Sequence, residues 1–236
     1  MKNSKVFVLS RVVPRPQHYA FISSLIGLED YLSGIVLVGQ LYDNYLGDLL
    51  IRRLPFVFQK YVKLDRLDVG FVTKRMLEEG SRLISFCEYV LFLDDDAVLF
   101  REDLENMLSM ASDNLGVVAV QSNDLEERRI QYSFDFFCSL VPGGDFLVLS
   151  HDEELLNLIG KLKKGIAYFI LDWYFRKKRK LYFNVYDKGV LHLWKVDKYK
   201  SWADWSPEYW DKLYEGIHQC KDLSEIEEFL KKEKLI

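Results

Sequence analysis

Short apolar runs alternate with amphipathic stretches through the first half of the chain. Residues 5–10 (KVFVLS) form a β-rich run, and after a loop holding Pro14 and Pro16 the residues Phe21, Leu25, Leu28 and Leu32 recur at helical spacing. Gly34 opens a second apolar run, Ile35 to Val38, which Gly39 closes, and a weaker third run spans residues 56–64. Val72, Met76 and Leu83 mark one face of a helix over residues 72–84. The run YVLFL (89–93) that follows is the most strand-like in the protein. Leu104, Met107, Leu108 and Ala111 place a helix over 103–111, and GVVAVQ (116–121) returns as a strand. This alternation predicts an α/β fold in which helices cover both faces of a mostly parallel, Rossmann-like sheet.

The second half reads differently, with GGDFLVLS (143–150) as a strand and Leu155, Leu156, Ile159 and Leu162 along a helix. No Pro/Gly/Ser-rich linker divides the halves, so a single domain is expected over residues 1–198, followed by a helical extension over 199–236. Ser206-Pro207 predicts a helix start with proline at its first position, and Ser224 with Glu227 predicts a capping box for the last helix.

Composition narrows the function classes. With 236 residues, 49% of them hydrophobic and 29% charged, the chain can bury a large core and is neither collagen-like nor disordered. Its 32 basic and 36 acidic side chains give a net charge of -4, which predicts no nucleic-acid partner. Cys87, Cys138 and Cys220 lack the spacing of a zinc site or a disulfide framework, which fits a reducing, cytoplasmic location. No apolar stretch approaches the roughly 20 residues that cross a bilayer, so any membrane contact is expected to be peripheral.

The residues that carry candidate chemistry are Asp94, Asp95 and Asp96, at the carboxyl end of the VLFL run. Ligands bind open α/β sheets at that edge, and crowded carboxylates call for a cation such as Mg²⁺ or Mn²⁺ to neutralise them. A solvated acidic turn capping the next helix is the plainer alternative. Asp103 and Glu105 read as ordinary helix-start acids.

Further motifs join the triplet in order. Asp68, Gly70 and Arg75 fall on the pattern N-x-G-x-x-x-x-R-N, with Asp68 and Met76 standing where that pattern has asparagine; the triplet falls on D-x-D. Downstream come Gly143-Gly144-Asp145-Phe146, then Leu171-Asp172-Trp173 on E-D-W with leucine in place of glutamate, and His192 in VLHLW. Over residues 4–195 the chain resembles the GT-A glycosyltransferases, especially the family-2-like group. The resemblance implies a donor-binding half (1–122) and an acceptor and catalytic half (123–198). It also implies a UDP- or GDP-sugar donor and a saccharide, lipid or protein acceptor. Mn²⁺ or Mg²⁺ would be held by Asp94, Asp96 and His192. Ser10, Arg11, Asp43, Arg75, Asp94 and Asp95 would contact the donor, with Gly144, Asp145 and Trp173 on the acceptor side. Asp172 would be the base of an inverting single displacement, its plainer role being a helix cap.

Other readings remain at this point. Asp94-x-Asp96-x-Val98 also matches the nucleophile motif of haloacid-dehalogenase-type phosphatases, although that motif normally follows the first strand. A nucleotide-sugar-binding module without turnover is the third reading. The basic run Arg176, Lys177, Lys178, Arg179 and Lys180 is either a solvated face or a contact for an anionic acceptor or membrane surface. Trp194, Trp202, Trp205 and Trp210 are either core or a sugar-stacking cluster.

Overall fold

The structure is a computed structural model that describes residues 6–65, 67–83, 87–121, 134–193 and 206–236. Trp194, Trp202 and Trp205 and both expected boundaries, 122/123 and 198/199, fall outside the described residues.

β1 (Val6–Val12), β2 (Leu32–Gly39), β3 (Phe58–Lys63) and β4 (Tyr89–Leu93) run parallel to one another. They are joined by α1 (His18–Gly27), α2 (Asn44–Arg53) and α3 (Val69–Ser81). After β4 come β5 (Ala97–Val98), α4 (Arg101–Met110), β6 (Leu115–Gln121) and β7 (Cys138–Pro142). The chain continues through α5 (Gly143–Ser150), α6 (Glu153–Gly160), α7 (Ala167–Trp173), a π-helical turn (Tyr174–Arg179) and β8 (Tyr182–His192), and closes with α8 (Pro207–Gln219) and α9 (Leu223–Lys232). The sheet order is β3-β2-β1-β4-β7-β6-β8-β5. Parallel pairing holds except at β7, antiparallel to β4 and β6, and at β5, antiparallel to β8.

Period-two alternation sorts the strand residues onto two cores. Phe7, Leu9, Val36, Val38, Val90 and Phe92 pack under α3 and α5 to α9, whereas Val6, Val8, Ile35, Leu37, Leu91 and Leu93 pack under α1, α2 and α4. Leu213, Ile217, Ile226 and Leu230 of the last two helices belong to the first core, so α8 and α9 are part of its packing.

Two local expectations are corrected. GGDFLVLS is helix α5, not a strand: Phe146, Leu149 and Ser150 are buried at helical spacing, and the exposed Val148 masks that period in the sequence. The last helix is capped by Asp222, which accepts from Glu225 N–H, rather than by Ser224. Ser206 caps α8 with Pro207 behind it, as expected. Gly70, part of the sequence pattern, has a packing reason, since a Cβ there would lie 2.5 Å from the Ile159 carbonyl and 2.6 Å from that of Leu162.

Candidate active site

β1 and β4 are neighbours with Leu9 opposite Phe92, so Arg11 and Asp94 emerge side by side at the carboxyl edge of the sheet. Asp94 N–H donates to the Phe137 carbonyl (3.0 Å), and Ala97 N–H donates to the Asp94 carbonyl (3.0 Å), closing a tight turn into β5. β5 pairs with β8 so that Ala97 faces His192, and Leu193 N–H donates to the Asp96 carbonyl at 2.9 Å. That register sets His192 Nε2 3.1 Å from Asp96 Oδ1, with the imidazole against the Phe137 ring (4.5 Å).

The three carboxylates have different surroundings. Asp95 is turned inward, where Oδ2 accepts from Val13 N–H (2.6 Å) and meets buried His18 Nε2 (2.6 Å), while Arg15 approaches Oδ1 at 3.3 Å. Tyr42 N–H donates to His18 Nδ1 (3.1 Å), so that nitrogen carries no proton and Nε2–H donates to Asp95. Asp95 therefore braces the β1–α1 loop. Asp94 keeps 27% of its side chain exposed and pairs with Arg11 (3.2 Å), whose guanidinium lies over Phe136 (4.2 Å) and reaches Thr73 Oγ1 at 3.4 Å. Burial pushes the Asp94 carboxyl up, Arg11 opposes, and Asp96 and Asp95 add to the rise. Burial acts the same way on Asp96, but the hydrogen bond and charge of His192 and the charge of Arg15 (2.7 Å) outweigh it and hold Asp96 below the usual range.

Asp96 and His192 fit two protein ligands of one divalent ion. Adjacent ligands of a six-coordinate cation at about 2.1 Å lie roughly 3.0 Å apart, the separation these two atoms already have. A carboxylate with an imidazole favours Mn²⁺ over Mg²⁺, which prefers oxygen alone. Among the described residues no group of three metal-ligating side chains stands preassembled, and Arg15 holds the other oxygen of Asp96. Remaining positions would fall to donor oxygens and water.

Other expected site residues are placed as follows. Ser10 is buried at the end of β1 beside Arg11. Asp43 caps α2, accepts from Tyr45 N–H (2.9 Å) and Tyr19 Oη–H (3.2 Å), and sits next to the Tyr42 backbone that binds His18. Thr73 is the α3 residue in reach of Arg11, and two residues on, about 200° around the helix, Arg75 pairs with Glu79 (2.5 Å) and Glu78 (3.5 Å) on another face. It lines an open groove of about 870 Å³ with Lys63, Phe71 and Lys161. Gly144 and Asp145 open α5, where Asp145 pairs with Arg179 (2.8 Å). Trp173 is buried and donates Nε1–H to the Cys220 carbonyl at 3.0 Å, which ties α7 to the end of α8. Trp210 packs beside Tyr168 and Phe169.

Asp172 has no exposed surface. It accepts from Phe134 N–H (2.7 Å), Arg176 Nε–H (3.0 and 3.1 Å) and Tyr214 Oη–H (3.1 Å), and His218 Nε2 lies 3.1 Å away. A base must reach the hydroxyl it deprotonates, whereas this carboxylate is enclosed by donors from α7, α8 and the entry of β7, an arrangement that ties these elements together. Within the basic run Arg176 pairs with Asp172, Lys178 with Asp152 (2.7 Å) and Arg179 with Asp145, while Lys177 and Lys180 are exposed.

One carboxylate escaped sequence reasoning. Asp135 enters β7 between Phe134 and Phe136, half-buried, with its Oδ1 near Ser139 Oγ (3.3 Å) and Cys138 N–H (3.4 Å). Burial and then the neighbouring charge of Asp94 push it up to about 7, with His192 opposing. Burial and then the charges of Asp135 and Asp94 raise half-buried Tyr168, with Arg11 opposing. The signal in the sequence was a lone acid within the aromatic run FDFF.

Among solved structures the chain is similar to GalNAc-T7 with UDP, GalNAc and Mn²⁺, at 11% identity and a TM-score of 0.57 over 98% of this chain and 55% of that one. It is similar to the apo-form glycosyltransferase GlyE of Streptococcus pneumoniae TIGR4, at 13% identity and a TM-score of 0.53 over 98% and 64%. A Bacillus anthracis protein described as a glucose-1-phosphate thymidylyltransferase, in complex with sucrose, gives 13% identity and 0.50 over 79% and 87%. The chain thus spans less than two thirds of the two glycosyltransferases' length. No family model and no curated protein matches. The haloacid-dehalogenase alternative is set aside by the topology, since the triplet follows the fourth strand. The chain has the GT-A fold shared by nucleotide-sugar transferases and nucleotidyltransferases.

Proposed function

We propose that the protein transfers a sugar from a nucleoside-diphosphate sugar, UDP- or GDP-linked, to an acceptor hydroxyl with the help of Mn²⁺ or Mg²⁺. The observation that carries this reading is the β5–β8 register, which brings His192 to Asp96 at the carboxyl end of β4 in a GT-A fold.

Asp96 and His192 would hold the cation, whose charge would offset that building on the leaving diphosphate. Arg11, fixed over Phe136 and beside Asp94, supplies a second positive group at the same edge. Asp43 and Ser10 flank the donor side. Asp135 takes the base role in place of Asp172, because it is near neutrality, partly open and within electrostatic reach of Asp94. As the acceptor oxygen bonds to the anomeric carbon and the bond to diphosphate breaks, the acceptor proton passes to a carboxylate oxygen of Asp135, and a single displacement inverts the centre. The fold serves several chemistries, so the site rather than the fold carries this reading.

Calorimetry with UDP and GDP, with and without Mn²⁺, followed by transfer assays over a panel of donors, tests it. Mn²⁺-dependent nucleotide binding together with sugar transfer is the expected result; binding without transfer or donor hydrolysis identifies a binding module instead.

A further inference from the structure

The most exposed large apolar side chain among the described residues is Phe56, at 99%, on the turn between α2 and β3. The turn is rigid. Leu54 (1% exposed) and Val57 (9%) anchor its two ends, Val57 N–H donates to the Leu54 carbonyl at 3.1 Å, and Pro55 holds the position a type I or II turn favours for proline. Gln59 Nε2 clamps the preceding helix end by donating to the Leu50 (3.2 Å) and Leu54 (2.8 Å) carbonyls. Among the described residues nothing packs over the Phe56 ring, which the turn presents to solvent. Ile51 (62% exposed) and Phe58 (47%) flank it. Arg52 and Arg53 are exposed in the last turn of α2, and neither meets a carboxylate among the described residues. Residues 49–60 hold three cations and no acid.

We propose that this turn docks the protein on an anionic lipid surface, with Phe56 inserted at the headgroup boundary and Arg52 and Arg53 on lipid phosphates. Charge and shape select this occupant. Unpaired arginines gain by approaching a negative leaflet, and aromatic side chains favour the interface between headgroups and acyl chains. A convex, single-residue tip suits a deformable bilayer, whereas protein interfaces place their aromatic anchors in the middle of a broad, well-packed patch. The turn precedes β3 and so lies at the amino edge of the parallel strands, opposite the triplet, which stays open to solvent while the tip is docked. Arg176, Lys178 and Arg179, drawn onto Asp172, Asp152 and Asp145, are not needed for this contact.

Co-sedimentation of the full chain with vesicles tests the proposal. Vesicles of phosphatidylcholine containing about 30% phosphatidylglycerol are expected to retain the protein, pure phosphatidylcholine to retain far less, and added salt to release it. Phe56→Ser should weaken binding at least tenfold, and Arg52→Gln with Arg53→Gln by a similar factor, with thermal midpoints unchanged because all three side chains are exposed. Lys177→Ser should leave binding as it is. Absence of wild-type binding to both vesicles, or unchanged binding of Phe56→Ser, overturns the proposal. So does a change in molar mass by light scattering on Phe56→Ser, which would assign the tip to a second copy of the chain.

Discussion

Two acidic centres in this protein are built from the same residue types and differ in what surrounds them. At Asp172 a single carboxylate, fully buried, takes hydrogen bonds from a backbone N–H, a guanidinium and a phenol, and joins α7 to α8 and to the entry of β7. At the triplet three carboxylates crowd one turn, compensated by Arg11, Arg15 and His192, with part of Asp94 open to solvent. The first centre has its lone pairs committed and holds the fold together. The second keeps pairs of groups whose environments push their affinities for protons apart, the condition under which carboxylates do chemistry. An aspartate after an apolar run is common to both; where its oxygens go decides its work.

The sharpest way to break this comparison is to remove one carboxylate from each centre. Asp96→Ala is expected to lower transfer on the order of 10³-fold and also to lower the thermal midpoint, because Arg15 and His192 lose a buried partner. Asp172→Asn should lower the midpoint alone, destabilising by about 2–3 kcal/mol, since Arg176 loses its charged partner while keeping some solvent, and retain activity below the melting range. Thermal melts and single-temperature kinetics on the two variants read both effects.

Next in size is Asp135→Asn, expected to cut kcat by about 10²-fold or more with little change in KM. The wild-type rate should climb through pH 7 as Asp135 ionises, and the variant should lose that limb. The stability sign runs the other way. A carboxyl whose folded value is raised to about 7 favours the folded state at low pH and loses that contribution as pH rises through 7. Asp135→Asn should therefore raise the midpoint at pH 8 and change it little at pH 4. The smallest effect is expected at Arg75→Ala, with nucleotide affinity unchanged and at most about 1 kcal/mol of stability lost from its pairs with Glu78 and Glu79.

Much of the fold could be read from the chain because burial on two faces leaves a strong period in the strands. YVLFL is β4 residue for residue, and the acidic triplet stands at its carboxyl end as expected. His192 was singled out by resemblance, and the β5–β8 register sets it beside Asp96. What could not be read was orientation around a helix and partnering across the sheet. Arg75 and Thr73 are two residues apart and face different ways. Asp172 looks like a base in one dimension, and only the approach of Tyr214 and His218 from a distant helix shows it to be enclosed. Asp135 carries no motif, and its raised affinity for protons comes from neighbours distant in sequence.

The most direct test of the central claim is a Mn²⁺ titration in the presence of UDP, read by calorimetry or by loss of the free-ion resonance, on wild type, His192→Ala, Asp96→Asn and Asp172→Asn. His192→Ala and Asp96→Asn are each expected to weaken Mn²⁺ binding at least tenfold, while Asp172→Asn binds as wild type does. Equal binding by wild type and His192→Ala, or loss confined to Asp172→Asn, would contradict it.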